Sequence, residues 1–372
     1  MTNKEIYKQL CETEGCSIPL FLQYWWMETV CAGKAWDVAL VFGDVQSKKF
    51  SLTPNEGSMV VGAMPYLIGT RLGMRFVIQP QLTQYNGPWY NYRFMQESFE
   101  QRGGMGVCQE NERLEFEKKV ADKLMLHLSR LKLAYFDQHF SPSVTNWLPF
   151  HWWGYKQTTR YTYRINDLSD MDKVFANFDY HECQKKLLRL KDRFEVTLDM
   201  SPTAFADLHV RYLRHRNRKD IVPHSLIVGL CSEALRQGRG TIVALRPVGE
   251  EVIAAARFVV WDEEKASSLL AAFNPDTYTN GITDLLVWKC IDFVADKTKV
   301  YDFEGSMDMN IEKYYRHFGA VQTPFHRITK SDSRLFEILL RVKAARERRE
   351  LTRRNKSRAK QHPKHKKHRS RK

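Results

Sequence analysis

The chain has 372 residues, 43% hydrophobic and 12% aromatic, enough apolar surface for one large core or two cores of ordinary domain size. Its formal charge of +15 is concentrated in residues 341–372, which hold 16 Lys or Arg against two Glu and leave the rest of the chain at +1. This distribution excludes a body that coats nucleic acid over its whole surface, and the aromatic content excludes a disordered chain.

Seven scattered cysteines without a CxxC pair fit a reducing, cytoplasmic setting better than a disulfide scaffold. No run approaches the roughly 18 to 20 apolar residues that cross a bilayer. The twelve histidines form no HExxH or similar pair, so no metal is expected; His362, His365 and His368 stand among lysines near the end of the chain.

In chain order, Phe21, Leu22, Trp25, Trp26 and Thr29 fall at helical spacing over 21–30. Strands are predicted over 37–42 and 59–68, the second interrupted by Gly62 and Pro65, with a polar loop over 44–57 between them. Asn86-Gly87-Pro88 marks a turn among aromatics, where Tyr85 and Trp89 either line a groove or pack the turn. Leu114, Phe116, Val120, Leu124, Leu128 and Leu131 predict a long helix over 112–133. The first part therefore reads α, β, β, α, and the turn-rich, aromatic stretch 141–155 is the expected boundary.

Beyond it, a strand is predicted over 159–165, followed by helices over 179–193, 204–214 and 224–237, the last stopped by Gly238. Strands over 241–246, 252–261 and 267–273 lead to a helix over 282–294. A strand over 300–303, a helix over 311–318 and a strand over 325–328 complete the pattern. The fold class is α/β. The expected division is 1–150, 151–330, and a short helix over 331–342 running into a disordered basic tail within 331–372. EGSMVVGAMPYLI (56–68) and EEVIAAARFVVW (250–261) are two acidic turns that each precede a small-residue strand, a weak echo of duplication.

Residues 269–320 are the most informative stretch. Asp302, Phe303, Glu304, Gly305 and Ser306, then Ile311, Glu312, Lys313, Phe318 and Gly319, form a strand, a glycine-containing loop and a helix ending in Phe-Gly. This pattern resembles the C-terminal part of the Fem-type (FemAB/FemX-like) branch of the GNAT superfamily. The resemblance extends more faintly to LQYWWMETVC, VVGAMPYLI and KKLLRLKDRFEV, covering most of 15–330. It implies two GNAT-like mixed-sheet domains side by side. The implied activity is transfer of an acyl or aminoacyl group from acyl-CoA or aminoacyl-tRNA to an amine acceptor such as a cell-wall precursor. The RxxGxG phosphate loop of acetyl-CoA-dependent GNAT enzymes is missing. Arg236-Gln237-Gly238-Arg239-Gly240 is one residue short and follows a helix, which weakens the expectation of CoA use.

Alternation along 300–304 places Asp302 and Glu304 on one strand face, roughly 6.5 to 7 Å apart. Two such carboxylates disfavour joint ionisation, so one is expected to serve as a general base toward the attacking amine. Gly305 and Ser306 would bring backbone N–H groups to a phosphate or oxyanion at the following helix. On the structural alternative, Asp308 or Asn310 caps that helix, and Ile311, Tyr314, Tyr315 and Phe318 form its core stripe. Asn274, Tyr278, Arg257 and Tyr85 are further candidates for the cleft. The tail over 343–372 suits RNA or another polyanion through counterion release. The competing reading is therefore a noncatalytic RNA-associated protein on a degenerate scaffold.

Overall fold

The structure is a computed structural model. It describes residues 1–372 except 14–16, 45–48, 102, 104, 108, 219–221, 306, 339–340, 343–344, 346–348 and 350–372. Ser306 and all of the expected tail over 343–372 except residues 345 and 349 thus lie outside the described residues.

Among the described residues, thirteen strands form one mixed sheet. The N-terminal half supplies β1 (Ala35–Gly43), β2 (Phe50–Ser51), β3 (Met59–Arg71), β4 (Met74–Ile78), β5 (Trp89–Tyr90), β6 (Tyr135–His139) and β7 (Lys156–Ile165). The C-terminal half supplies β8 (Phe194–Thr197), β9 (Gly240–Pro247), β10 (Ala255–Trp261), β11 (Lys265–Phe273), β12 (Val300–Asp302) and β13 (Val321–Ser331). The order is β2-β1-β3-β4-β6-β13-β7-β12-β11-β10-β9-β8, with β5 attached to β3.

The same unit occurs twice. β1, β3 and β4 form an antiparallel meander, and the helix Glu110–Arg130 crosses over to β6, which runs parallel to β4. β9, β10 and β11 form the second meander, and the helix Ile282–Val294 crosses over to β12, parallel to β11. The two segments of the sequence echo supply β3 and β10, the middle strands of the two meanders. The halves also exchange strands: β7 pairs with β12, while β13 lies between β6 and β7. Two mixed-sheet halves thereby share one hydrogen-bonded sheet, a seam that local patterning does not reveal.

Helices cover both faces, so the central strands are apolar on both sides instead of alternating with polar residues. β3 is continuous through Gly62 and Pro65, contrary to the expected interruption. A Cβ on Gly62 would stand 2.2 Å from Val120 Cγ1, so glycine lets the helix Glu110–Arg130 close onto the strand. The Pro65 carbonyl accepts from Gln138 Nε2 at 3.1 Å.

Several elements go beyond the predicted α, β, β, α order. The helix Asn3–Thr13 buries Tyr7, and β4 and β6 supply the parallel pair. The helices Tyr92–Glu100 and Leu148–Trp152 and the strand β8 are also additional. The predicted helix over 179–193 is a π turn, Tyr180–Gln184, followed by the short helix Lys185–Leu190. β13 is longer than the predicted 325–328, and β12 stops at Asp302. Past β13, Phe336 stacks on Tyr135 with ring centroids 4.9 Å apart, whereas Leu335 is exposed.

Candidate active site

β12 pairs with only the first residues of β11, in the register Lys265↔Val300, Ala266↔Tyr301 and Ser267↔Asp302. Beyond Ser267, β11 has no strand partner on that side, and the sheet opens where β12 ends. Tyr301 and Phe303 point into the core under the helix Ile282–Val294, so Asp302 points to the opposite face. That face carries Phe21, Tyr85 and Phe325, contributed by both halves.

Asp302 is fully buried and saturated with donors. Arg164 Nε donates to Oδ2 at 2.8 Å, and the Tyr85 hydroxyl to the same oxygen at 3.2 Å. The Thr162 hydroxyl donates to Oδ1 at 2.5 Å, and the Glu304 backbone N–H to Oδ1 at 2.9 Å. Burial by itself would raise the pKa of this carboxyl. The charges of Lys265 and Arg164 and the donated hydrogen bonds outweigh it and hold Asp302 below the ordinary aspartate value.

Glu304 follows the strand end with φ 56°, the left-handed region that L-residues other than glycine seldom occupy. The alternation predicted through residue 304 therefore stops at Phe303, and the left-handed turn sets the direction of the Glu304 side chain. Its Oε1 is sealed from solvent without a hydrogen-bond partner. Burial, reinforced by the negative charge of Asp302, pushes its carboxyl well above the usual glutamate value. Lys265 Nζ is likewise sealed and without a hydrogen-bond acceptor. It rests on aromatic faces, 4.3 Å from the Tyr85 ring centroid and 4.9 Å from that of Phe21. Burial moves its pKa below the ordinary lysine value, although Asp302 pulls the other way.

Unpaired buried polar atoms are rare because each costs roughly 1 to 3 kcal/mol. Lys265 Nζ, Glu304 Oε1 and Arg164 Nη2 are all unpaired, as is Oε1 of the adjacent Gln84, whose amide donates to Thr162 at 3.2 Å. In the N-terminal half, the carboxylate on the crossover strand and the arginine on the exchanged strand instead close on each other. Arg327 grips Asp137 through Nε and Nη2 at 2.8 and 2.5 Å. Four sealed, unpaired atoms thus surround Asp302, beside a cavity of about 180 Å³ that residues of the N-terminal half, Tyr85 among them, line together with Lys265.

Of the residues singled out from sequence, the structure brings Tyr85, Asp302 and Glu304 together. Gly305 is adjacent, but its N–H is taken by Thr162 Oγ1 at 2.9 Å, and a Cβ there would stand 2.0 Å from the Tyr161 carbonyl oxygen. Its smallness therefore permits strand contact, and the N–H expected to face a ligand is already committed. Asn274 is buried at the end of β11, where it accepts from Asp276 N–H and Arg211 and donates to the Ile253 carbonyl. Arg257 lies on the opposite sheet face from Asp302, among Tyr301, Cys290, Tyr314 and Tyr315, and bonds Ser268. Tyr278 is 61% exposed on the surface. Asp308 caps the helix Met309–Arg316, accepting from Asn310 and Ile311 N–H. Arg164, Thr162 and Lys265 were absent from the sequence reading; they stand on strands whose pairing with β12 no local pattern discloses.

Residues 179–310 match the family model of the acetyltransferase (GNAT) domain. The whole chain has a GNAT/Fem-like fold, and the matched segment is similar to the acetyltransferase (GNAT) domain. FemX has a similar structure, with a TM-score of 0.60 and 10% sequence identity over 87% of this chain and 94% of that one. L-PGS from Bacillus licheniformis is similar at a TM-score of 0.50 and 11% identity, over 91% of this chain and 95% of that one. No curated protein sequence matches this chain. Among the described residues, no helix is long and apolar enough to cross a membrane, and no group of three or more His, Cys, Asp or Glu could hold a metal ion.

Proposed function

We propose that this protein is an acyl or aminoacyl transferase that forms an amide on an amine acceptor at the Asp302–Glu304–Lys265 cluster. The carrying observation is the set of sealed, unpaired polar atoms beside ionised Asp302 at the sheet opening. A degenerate scaffold gains nothing from retaining these costly groups, which weighs against the noncatalytic RNA-associated reading. Glu304 retains its proton at pH values where an ordinary glutamate has lost it, so its conjugate base is stronger and better matched to an ammonium proton.

The acceptor nitrogen attacks the donor carbonyl carbon and forms the new C–N bond. The bond from that carbon to the ribose oxygen of a charged tRNA, or to the sulfur of an acyl-CoA, breaks. Glu304 takes the proton released by the amine and returns it to the departing oxygen or sulfur. Asp302 stays ionised and fixes the Arg164, Thr162 and Tyr85 side chains around the reacting carbonyl.

The resemblance to Fem-type and CoA-dependent GNAT enzymes implies two donor classes, aminoacyl-tRNA and acyl-CoA. The loop from β11 to the helix Ile282–Val294 contributes Gly281 as N-cap but no glycine-rich run, and it places buried Asp284 in the first helical turn. A carboxylate there disfavours a phosphate at the helix end. This favours an aminoacyl-tRNA donor, which the +14 charge of 341–372 would help to recruit. A cell-wall precursor is one acceptor of the required amine chemistry. The test is to incubate purified protein with acyl-CoA species or charged tRNA plus an amine, following deacylation and amide formation by mass spectrometry. Amide formation from one donor supports the reading; no transfer from either class defeats it.

A further inference from the structure

Beside the charged cluster lies the cavity of about 180 Å³, and its walls have a distinct chemistry. Phe21, Leu22, Tyr85, Pro88 and Trp89 line it, and Lys265 is the charged residue on its wall. The polar ends of two of the aromatic walls are already engaged: Tyr85 donates to Asp302, and Trp89 Nε1 donates to the Ser17 carbonyl at 3.1 Å. These rings therefore offer apolar surface. Lys265 Nζ and the Tyr90 hydroxyl are both sealed donors on this wall without an acceptor, and Lys265, charged and beside Asp302, is the one suited to a carbonyl oxygen that gains negative charge.

Size narrows the ligand further. An apolar cavity of about 150 Å³ holds one benzene ring, so 180 Å³ accommodates a ring or a branched chain together with a carbonyl group. Charge narrows it again, because an anion seated here would approach Asp302 and Glu304. We infer that this cavity is the acyl pocket, selecting an uncharged acyl group of about one ring in size and receiving its carbonyl oxygen on Lys265 Nζ. The inference rests on the transferase reading above and adds the substrate class to it. In the reaction, Lys265 would stabilise the carbonyl oxygen as it gains negative charge when the amine attacks.

Fluorine NMR of the full chain with 4-fluorobenzamide tests the pocket without requiring turnover. Binding is expected in the wild type and at least tenfold weaker in Lys265→Met. It should also be at least tenfold weaker in Val144→Trp, which fills the cavity from a half-buried loop position. Acetamide, too small, and 2-naphthamide, too large, should each compete at least tenfold less well than benzamide. Melting curves establish that the variants fold, and Val144→Trp carries the test if Lys265→Met does not. Absence of binding, equal binding in a folded variant, or tighter binding of 4-fluorobenzoate than of the amide would overturn the inference. Binding as expected with no amide formed from either donor class would leave the pocket and remove the transferase reading; amide formation without binding would do the opposite.

Discussion

The Tyr85 hydroxyl donates to Oδ2 of Asp302 at 3.2 Å, so a residue of the N-terminal half completes the buried carboxylate of the C-terminal half. Because the acceptor is charged, losing this bond is worth about 1.5 kcal/mol. Tyr85→Phe should lower the melting temperature by a few degrees without changing the far-UV spectrum. Combined with Thr162→Val, the loss should exceed the sum of the single effects, because both hydroxyls serve one carboxylate.

Asp302 and Glu304 should leave opposite signatures in the pH dependence of stability. The folded-state pKa of Asp302 is lowered, so its contribution is fully present above the unfolded value of about 3.9 and is lost as pH falls through the folded value. The folded-state pKa of Glu304 is raised, so folded protein keeps a proton that the unfolded chain releases near about 4.3. Stability should therefore decline as pH rises from there toward the folded value. Asp302→Asn should cost about 3 to 5 kcal/mol, since it leaves Arg164 buried without its partner. Glu304→Gln should remove the high-pH decline. Urea unfolding from pH 3 to 9 measures both.

The left-handed backbone at Glu304 allows strain to be separated from chemistry. Glycine occupies φ 56° freely, so Glu304→Gly should relieve about 1 kcal/mol of backbone strain and leave the melting temperature equal to or above that of wild type. Turnover should fall in the same variant. Gly305→Ala should behave in the opposite way: its Cβ would collide with the backbone of Tyr161 and Thr162, costing about 3 kcal/mol. Calorimetric scans of the two variants distinguish them.

The helix start at Gly281, without a glycine-rich run and with Asp284 in its first turn, predicts weak CoA binding. Titration calorimetry with free CoA should give no stoichiometric heat; tight one-to-one binding would return the donor to acyl-CoA. Deleting 343–372 should leave the melting transition in place while removing salt-sensitive binding to tRNA. If the tail contacts about 6 to 10 phosphates, that affinity falls about 10³ to 10⁵ fold between 50 and 200 mM salt.

The legibility of this molecule in its sequence follows the range of the interactions involved. Asp302, Glu304 and Gly305 stand in one short segment and Tyr85 in an aromatic turn, so local pattern draws attention to them. Arg164, Thr162 and Lys265 reach Asp302 only because β7 is exchanged between halves and β11 runs parallel to β12, pairings specified by tertiary contact. Arg257 shows the limit of proximity in sequence, since strand parity decides which face it occupies. The helix Asn3–Thr13 had a readable stripe in Ile6, Tyr7, Leu10 and Cys11, whereas the five-residue strands β4 and β6 carry too few residues for a period to emerge.

Single-turnover transfer to an amine, from whichever donor the screen identifies, tests the central claim most directly when wild type and Glu304→Gln are compared over pH. The wild-type rate should rise with pH along a limb shifted above the ordinary glutamate range. Glu304→Gln should fold normally, lose that limb and react roughly 10² to 10⁴ fold more slowly. A folded Glu304→Gln variant with the wild-type rate and pH profile would contradict the assignment of Glu304 as the base.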